Sequence, residues 1–320
     1  MGNACCQDSE RGDQEVVKTQ APMKEKTFHV QNSGAPYFKL GSLSLSGNDF
    51  KGDTYKNSAQ NETLIFPPNT NASVTKRIEY VTSMLSGYGV TFSFNLTDYN
   101  GINNPIQVAE QGNKVYVGQV NEIDPNGNPI KQGKGYLLLE NNSMYMGYFF
   151  NNKYYGPGLY FDFAKKDAKF GFWEDDRLSG IVEITYHNGN TYRGEFSGGY
   201  RNGQGVQRSK NGDVYSGNFV NGAYQGKGDF TWSNGDHYSG DWYNDKMNGK
   251  CVHIWKESGV KYEGHYLNGQ FHGQGMMLWP DGSRFDGEWK NGLQDGEGIK
   301  TKKDGRTTKG VWKEGKFQKP

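Results

Sequence analysis

Residues 215–235 read YSGNFVNGAYQGKGDFTWSNG, and this stretch contains the pattern that decides the fold. Tyr215, Gly217 and Phe219 are alternate residues, and residues 226–232 alternate in the same way. Because successive side chains of a β-strand point to opposite faces, each alternating set lies on one face of a strand. The stretch therefore predicts two strands of a β-hairpin, with aromatic residues and glycines sharing one face.

The same pattern recurs along the chain at a nearly constant spacing. Its first position falls at residues 145, 169, 192, 215, 238, 262, 285 and 308, so the spacings are 24, 23, 23, 23, 24, 23 and 23 residues. The residues that define the clearest copies are Tyr192, Gly194, Gly203, Gly205, Tyr215, Gly217, Gly226, Gly228, Tyr238, Gly240, Tyr262, Gly264, Gly273, Gly275, Phe285 and Gly287. This periodicity indicates a repeat architecture, in which each unit buries its apolar face with its neighbours.

Turn signals and glycines complete the prediction of each unit. Asn-Gly, Ser-Gly or Asp-Gly pairs stand at residues 188–189, 211–212, 234–235, 258–259, 281–282 and 304–305, where we expect type I′ turns. Glycines on the aromatic face are expected to leave room for rings from neighbouring hairpins. Val182 and Cys251 replace the second glycine of the Gly-x-Gly pair, so we expect a local distortion at both positions.

The composition agrees with a thin β structure. The chain has 46 glycines, and its 18 Phe, 21 Tyr and 7 Trp also make 46 aromatic residues among 320. Glycine disfavours helix interiors, and the aromatic content argues against a fully disordered chain. The formal net charge is +1, which provides no global electrostatic argument for nucleic acid, and we expect no nucleic-acid partner.

The Y-x-G-x-[FWY]…G-x-G pattern at a 23-residue period resembles the MORN (membrane occupation and recognition nexus) repeat over residues 113–320. The resemblance implies an all-β fold, an elongated antiparallel solenoid of about eight hairpin repeats plus a C-terminal half copy. It also implies protein partners at a cell cortex, cilium or cytoskeleton, and self-association. Residues 28–112 then form a divergent β-rich region, and residues 1–27 a short disordered tether.

The N-terminus is a candidate site for lipid attachment. It reads Met1-Gly2-Asn3-Ala4-Cys5-Cys6, which resembles dually acylated proteins, with myristate on Gly2 and palmitate on Cys5 and Cys6. One myristoyl chain gives only marginal membrane binding, and no basic cluster follows to supplement it. Cys6 stands where the usual myristoylation motif has Ser or Thr. The alternative is a free N-terminus with two adjacent cysteines.

The C-terminal segment is basic. Residues 299–320 contain eight basic and two acidic residues, among them Lys300, Lys302, Lys303, Arg306, Lys309 and Lys313. A charged cap protecting the last strand edge is one interpretation. A second is contact with anionic lipid such as a phosphoinositide, worth about 1 kcal/mol per basic residue near the surface. A protein-binding tail is the third.

We find no sequence signature of catalysis or metal binding. The chain has no P-loop, no HExxH and no G-x-S-x-G motif. Four histidines that lie in repeats are expected at surface or groove positions: His237, His253, His265 and His272. Cys251 and His253 are expected to be same-face strand neighbours in a core position. We therefore predict no catalytic residue, no metal and no cofactor.

MORN repeats also occur fused to lipid kinases and to a SET-domain methyltransferase. Residues 28–112 are too short for a kinase and lack its signatures, and the repeats run to the last residues, so we predict that the protein is not an enzyme. The sequence favours a scaffold tethered to the cytosolic face of a membrane, at the plasma membrane, ciliary membrane or cell cortex. A phosphoinositide-binding module and a regulatory subunit of a separate enzyme are the alternatives.

Overall fold

The computed structural model describes residues 106–319, together with residues 44–45, 90–91, 72, 76, 79, 80 and 83. Strand β1 (Ser44–Leu45) pairs antiparallel with β2 (Val90–Thr91). Residues 106–319 form one antiparallel β-sheet and contain no helix. The predicted tether, residues 1–27, lies outside the described residues, as does most of the predicted β-rich region 28–112, so both stay predictions.

Nineteen strands follow one another through this sheet in chain order. They are β3 (Ile106–Gln111), β4 (Lys114–Ile123), β5 (Pro129–Leu138), β6 (Met144–Phe150), β7 (Lys153–Asp162), β8 (Asp167–Glu174), β9 (Arg177–Thr185), β10 (Thr191–Ser197), β11 (Tyr200–Arg208), β12 (Val214–Val220), β13 (Ala223–Thr231), β14 (His237–Tyr243), β15 (Lys246–Trp255), β16 (Val260–Leu267), β17 (Gln270–Leu278), β18 (Arg284–Lys290), β19 (Leu293–Thr301), β20 (Thr307–Lys313) and β21 (Lys316–Gln318). Every strand pairs with its neighbours in sequence, and no pairing joins β3 to β21 in the described part of the chain. The sheet is therefore open, and the prediction of an all-β fold of antiparallel hairpin repeats is confirmed.

Two kinds of connection alternate along the sheet. The prediction of type I′ turns at residues 211–212 and the equivalent pairs is wrong, because the type I′ turns form the other kind of connection. At residues 211–212 only Gly212 has a positive φ, 98°, and it closes a longer loop in which the Gly212 N–H donates to the Ser209 carbonyl at 2.9 Å. The two-residue turns with positive φ at both positions lie between β12 and β13 and at the equivalent places, as at Asn221 (49°) and Gly222 (89°). Asn221-Gly222 is itself an Asn-Gly pair, so the sequence signal for the type I′ turn was present one strand after Asn211-Gly212.

The first glycine of each Gly-x-Gly pair produces a bulge. Gly217 pairs with Gly228, but Phe219 pairs with Tyr224, so the register shifts between them. Gly226 lies within the shift and has a φ of 70°, a conformation that L side chains rarely adopt. The two glycines of the pair thus serve different purposes: a bend in the strand and clearance for a ring.

The ring that fills this clearance comes from the same hairpin, which corrects the expectation of a ring from a neighbouring hairpin. The Tyr215 ring lies over Gly217 and Gly228, where an added Cβ would meet its hydroxyl oxygen at 2.6 and 2.5 Å. Its hydroxyl donates to the Asn218 carbonyl at 2.9 Å. Rings of the next hairpin pack against the tyrosine instead, as Trp242 does at 5.5 Å between centroids. We call the sheet face that carries Tyr215 the inner face, and the opposite one the outer face.

The two repeats with a substituted glycine keep the regular strand pairing. Val182 pairs with Gly171 and Cys251 pairs with Gly240, and the register shifts as in the other repeats. In the first case Lys169 stands where the tyrosine would be, and the buried Val182 side chain fills the space of its ring. The predicted distortion of the strands is therefore wrong, because the side chains compensate for the substitution.

A second core on the outer face was not predicted from the sequence. It lies on the strands from β4 to β8, where the outward side chains are apolar and buried; its members are Val115, Val117, Tyr136, Leu138, Met144, Met146, Leu159, Phe161 and Ala168. Tyr80 approaches this region, with its ring centroid 6.5 Å from that of Phe163. In later hairpins some equivalent outward positions are polar, such as Ser216 and Asp229, and apolar ones such as Val206, Val252 and Met276 are only half-buried. Among the described residues, none belongs to a helix long and apolar enough to cross a bilayer.

Candidate functional site

Three tryptophans occupy the same position in successive repeats on the inner face. Trp232 follows β13, Trp255 ends β15 and Trp279 follows β17. Each lies four residues after the second position of the Gly-x-Gly pair, which places it on the same face as the core tyrosines. Unlike those tyrosines, all three are only half-buried. We call Trp232, Trp255 and Trp279 the aromatic row.

His253 lies between two members of this row. Its ring stacks on Trp232 at 5.1 Å with an interplanar angle of 14°, and on Trp255 at 3.9 Å and 22°. Its Nδ1 lies 2.8 Å from the hydroxyl oxygen of Tyr266. The side chain is 6% exposed, so its expected surface or groove position is wrong, whereas its expected place beside Cys251 in the core is confirmed.

The electrostatics of this cluster are those of a structural core. Burial lowers the pKa of His253 to about 4, against an opposing effect of Asp236, so the imidazole is neutral near pH 7. Burial also raises the pKa of the Cys251 thiol to about 12 and keeps the Tyr266 phenol protonated. Thiol reactivity requires the thiolate, so Cys251 is held in an unreactive form.

The aromatic row differs from the other tryptophans of the repeats in its hydrogen bonds. The indole N–H groups of Trp242 and Trp289 each donate to a glycine carbonyl, at 3.1 and 3.0 Å. No acceptor for the indole N–H of Trp232, Trp255 or Trp279 is found among the residues that the structure describes. The row therefore presents apolar ring surface together with free hydrogen-bond donors.

The row ends at an open pocket. A cavity of about 410 Å³ is lined by Trp279, Pro280, Asp281, Ser283 and Lys300. Lys300 pairs with Phe285 as Phe230 pairs with Tyr215, so it occupies the inner-face position that Phe230 has in its own repeat. Where His253 of the following repeat stacks on Trp232, the exposed Lys300 of the following repeat leaves the space beside Trp279 open.

The structure does not gather the six predicted basic residues into one patch. Lys300 lies on the inner face, Lys302, Lys303 and Arg306 belong to the loop that follows β19, and Lys309 and Lys313 alternate onto the outer face of β20. Arg306 forms an ion pair with Asp304 at 2.5 Å, and Lys313 with Asp295 at 3.3 Å. Contact of this segment with anionic lipid stays a prediction.

The outer face offers a second surface, with exposed apolar side chains among polar ones. One exposed apolar side chain stands beside most type I′ turns, and these are Tyr200, Val220, Tyr243, Leu267 and Leu293. They lie singly among polar residues such as Lys246 and Gln270. Scattered exposed apolar residues of this kind are common on protein surfaces.

Two predicted features remain to be placed. Gly2, Cys5 and Cys6 lie outside the described residues, so their lipidation stays a prediction. Within the described part of the chain, no group of three or more His, Cys, Asp and Glu side chains is arranged to hold a metal ion.

The sequence matches the family model of the MORN repeat at residues 192–214, 215–237, 238–260, 262–284 and 285–305. No curated protein matches the chain.

Among solved structures, the TCP10 domain of Danio rerio CPAP in complex with a peptide of Danio rerio STIL is similar, at 10% identity and a TM-score of 0.35, over 65% of this chain and 100% of that one. The TCP domain of Drosophila melanogaster SAS-4, in complex with a proline-rich motif of Ana2, is similar at 11% identity and a TM-score of 0.31, over 60% and 96%. The family match and the repeated hairpins agree that residues 192–305 contain five consecutive copies of the MORN repeat.

Proposed function

We propose that the protein is a non-enzymatic scaffold that binds protein partners along the inner face of its MORN sheet. The observation that carries the proposal is the aromatic row, in which three half-buried indoles recur at one position with no hydrogen-bond acceptor among the described residues. Tryptophan is enriched at the energetic centres of protein interfaces, where its ring is buried and its N–H finds a partner. The row offers that combination before any partner is bound.

The same proposal includes attachment to the cytosolic face of a membrane. Its support is the sequence Gly2-Asn3-Ala4-Cys5-Cys6, which provides one site for myristate and two for palmitate. Two acyl chains give stable anchoring where one does not. In this arrangement the N-terminus holds the protein at a membrane, and the repeats recruit partners there.

Affinity purification of the full-length protein tests the partner-binding surface. A variant with Trp232→Ala, Trp255→Ala and Trp279→Ala is compared with an outer-face variant carrying Tyr200→Ala, Tyr243→Ala and Leu267→Ala. We expect the proteins recovered with the wild type to be lost with the first variant and kept with the second. Loss of these proteins with the outer-face variant alone would refute the inner-face proposal.

Binding of phosphoinositides is a second candidate function, favoured by one observation. Lys300, Lys302 and Lys303 lie close together in sequence at the end of β19, and no ion pair joins Lys300 to an acidic side chain in the described part of the chain. Co-sedimentation of the Gly2→Ala, Cys5→Ser, Cys6→Ser protein with phosphoinositide vesicles at low salt tests this function. Absence of binding there would remove it, because electrostatic attraction is strongest at low salt.

A further inference from the structure

We infer that the aromatic row binds a proline-rich segment in the polyproline II conformation, with an acidic residue of that segment beside Lys300 and Lys302. This inference rests on the proposed function and names the chemistry of the partner. It follows from three properties of the inner face: the spacing of the tryptophans, their free N–H groups, and the change from aromatic to basic residues at one end of the row.

The spacing of the row matches the pitch of a polyproline II helix. Equivalent residues of successive repeats are two strands apart, which is about 9.4–9.8 Å at the usual strand separation. The stacking distances of 5.1 and 3.9 Å that connect Trp232 to Trp255 through His253 agree with this spacing. A polyproline II helix has three residues per turn and rises about 3.1 Å per residue, so it repeats every 9.3 Å or so. A proline at every third position would therefore meet each indole in turn.

The chemistry of the indoles suits this conformation. Polyproline II has no internal hydrogen bonds, so its carbonyl groups are free to accept from donors on a binding surface. The indole N–H groups of Trp232, Trp255 and Trp279 have no acceptor among the described residues, while each ring offers apolar surface to a proline. Because the segment is extended before it binds, little conformational entropy is lost on binding.

The charge at the end of the row determines the rest of the motif. One repeat beyond Trp279 the equivalent position is Lys302, and Lys300 lies on the wall of the open pocket next to Trp279. Both lysines are exposed, and no ion pair to Lys300 is found within residues 106–319. A carboxylate one turn beyond the last proline would lie next to these ammonium groups. The segment thus has three prolines at intervals of three, flanked by an acidic residue.

Titration calorimetry with synthetic peptides and the full-length protein tests the inference. The probes are Pro-Ala-Gln-Pro-Ala-Gln-Pro-Ala-Gln-Glu and Glu-Ala-Gln-Pro-Ala-Gln-Pro-Ala-Gln-Pro, so that the glutamate stands three residues from the nearest proline in either chain direction. A control peptide keeps the three prolines but spaces them by four residues, and another replaces glutamate with lysine. The protein variants are Trp279→Ala, Lys300→Glu and the outer-face control Tyr243→Ala. The Trp279 ring contacts no other aromatic ring within the described residues, so the removal of this side chain disturbs the core less than removal of Trp232 or Trp255.

We expect one glutamate peptide to bind and the four-residue spacing to bind at least about tenfold more weakly, a difference of about 1.4 kcal/mol. Trp279→Ala should weaken binding to a similar extent and Tyr243→Ala should leave it unchanged. Lys300→Glu should weaken binding of the glutamate peptide and strengthen binding of the lysine peptide, less so at high salt because exposed charges are screened. Circular dichroism spectra that match the wild type show that the variants are folded.

Equal affinity for the two proline spacings, no binding of either glutamate peptide, or unchanged binding by folded Trp279→Ala would overturn the inference. If no peptide binds, but the triple tryptophan variant still loses its partners in affinity purification, the proposed function stands and only the polyproline ligand is refuted. If Lys300→Glu impairs sedimentation with anionic vesicles but not peptide binding, the lysines contact a lipid surface instead, and the acidic part of the motif is refuted.

Discussion

At the scale of the residue, each repeat is organised around one ring and the two glycines beneath it. Tyr215 is buried to 1% exposure, yet its hydroxyl is satisfied by the Asn218 carbonyl three residues ahead. Gly217 and Gly228 have their Cα atoms so close that a Cβ on Gly217 would lie 2.6 Å from the Gly228 Cα. Backbone cannot yield as a flexible side chain does, so the position of Gly217 requires glycine.

Gly217→Ala should therefore destabilise the sheet. The added methyl group would contact both the Tyr215 hydroxyl and the backbone of the paired strand, and we expect a loss of about 1–3 kcal/mol in the free energy of unfolding. Ser216→Ala is the matched control, because it changes the neighbouring outward residue and should cost less than about 0.5 kcal/mol. Urea unfolding of both variants measures the difference. Equal stabilities for the two would show that the close approach is not a constraint.

His253 should make stability dependent on pH in the acidic range. Its folded pKa of about 4 lies below the ordinary value of 6.5, so between these values the unfolded chain binds a proton that the folded chain does not. Stability is therefore complete above pH 6.5 and falls as the pH drops towards 4. Between pH 7.5 and 5.0 we expect the wild type to lose about 1–2 kcal/mol more than His253→Gln, which cannot be protonated. Parallel pH dependences of unfolding for the two proteins would contradict this assignment.

At the scale of the element, hydrogen bonds between successive loops hold the hairpins in line. Asp213 accepts from the Ser233 N–H at 2.8 Å, and Asp236 accepts from the Lys256 N–H at 2.8 Å. Asn190 makes the same contact to the Lys210 N–H at 2.9 Å. The hydrogen bond from the Asn211 side chain, followed by the bond from the Ser233 N–H, lowers the pKa of the Asp213 carboxyl below its ordinary value. The loops thus contribute to the alignment of repeats as well as to the connection of strands.

Asp213→Ala should weaken this link, whereas Asp213→Asn should preserve it. The alanine variant leaves the Ser233 N–H without its acceptor, and we expect a loss of about 1 kcal/mol or slightly more in thermal or urea unfolding. The asparagine variant keeps the accepting oxygen and resembles the natural contact of Asn190. If the two variants were equally destabilised, the negative charge rather than the hydrogen bond would be responsible.

The repeat could be predicted from the sequence at this scale, but the assignment of its turns could not. Strand alternation and the 23-residue period identify the hairpins, because both follow directly from local geometry. The choice between Asn211-Gly212 and Asn221-Gly222 as the type I′ turn depends on which strands pair across the bulge at Gly226, and that is a tertiary property. The surface position predicted for His253 was wrong for a related reason. Its side chain is buried by Trp232 of the preceding repeat and Tyr266 of the following strand.

At the scale of the whole described sheet, the two faces have different characters. The inner face is a continuous aromatic core that ends in the half-buried aromatic row, and the outer face carries a buried apolar core on strands β4 to β8. The outer core could not be predicted, because no repeated sequence pattern identifies the residues that cover it. The aromatic row was implied by the repeat, but the open pocket beside Lys300 follows from one substitution in one copy.

Membrane attachment is the prediction that depends on the N-terminus alone. The wild-type protein should sediment with membranes when expressed in cells, and Gly2→Ala should move it to the soluble fraction, because palmitoylation of Cys5 and Cys6 would follow membrane contact by the myristoyl chain. Cys5→Ser with Cys6→Ser should leave weak, partial attachment through one chain. Sedimentation that is the same for all three proteins would remove the tether from the proposal.

The central claim is that partners bind along the aromatic row of the inner face. Oxidative footprinting of the unmodified protein, with and without a partner recovered by affinity purification, measures this most directly. We predict that the partner reduces the oxidation of Trp232, Trp255 and Trp279 and leaves that of Tyr200 and Tyr243 on the outer face unchanged. Protection of the two outer-face tyrosines, with the three tryptophans oxidised as in the free protein, would contradict the claim.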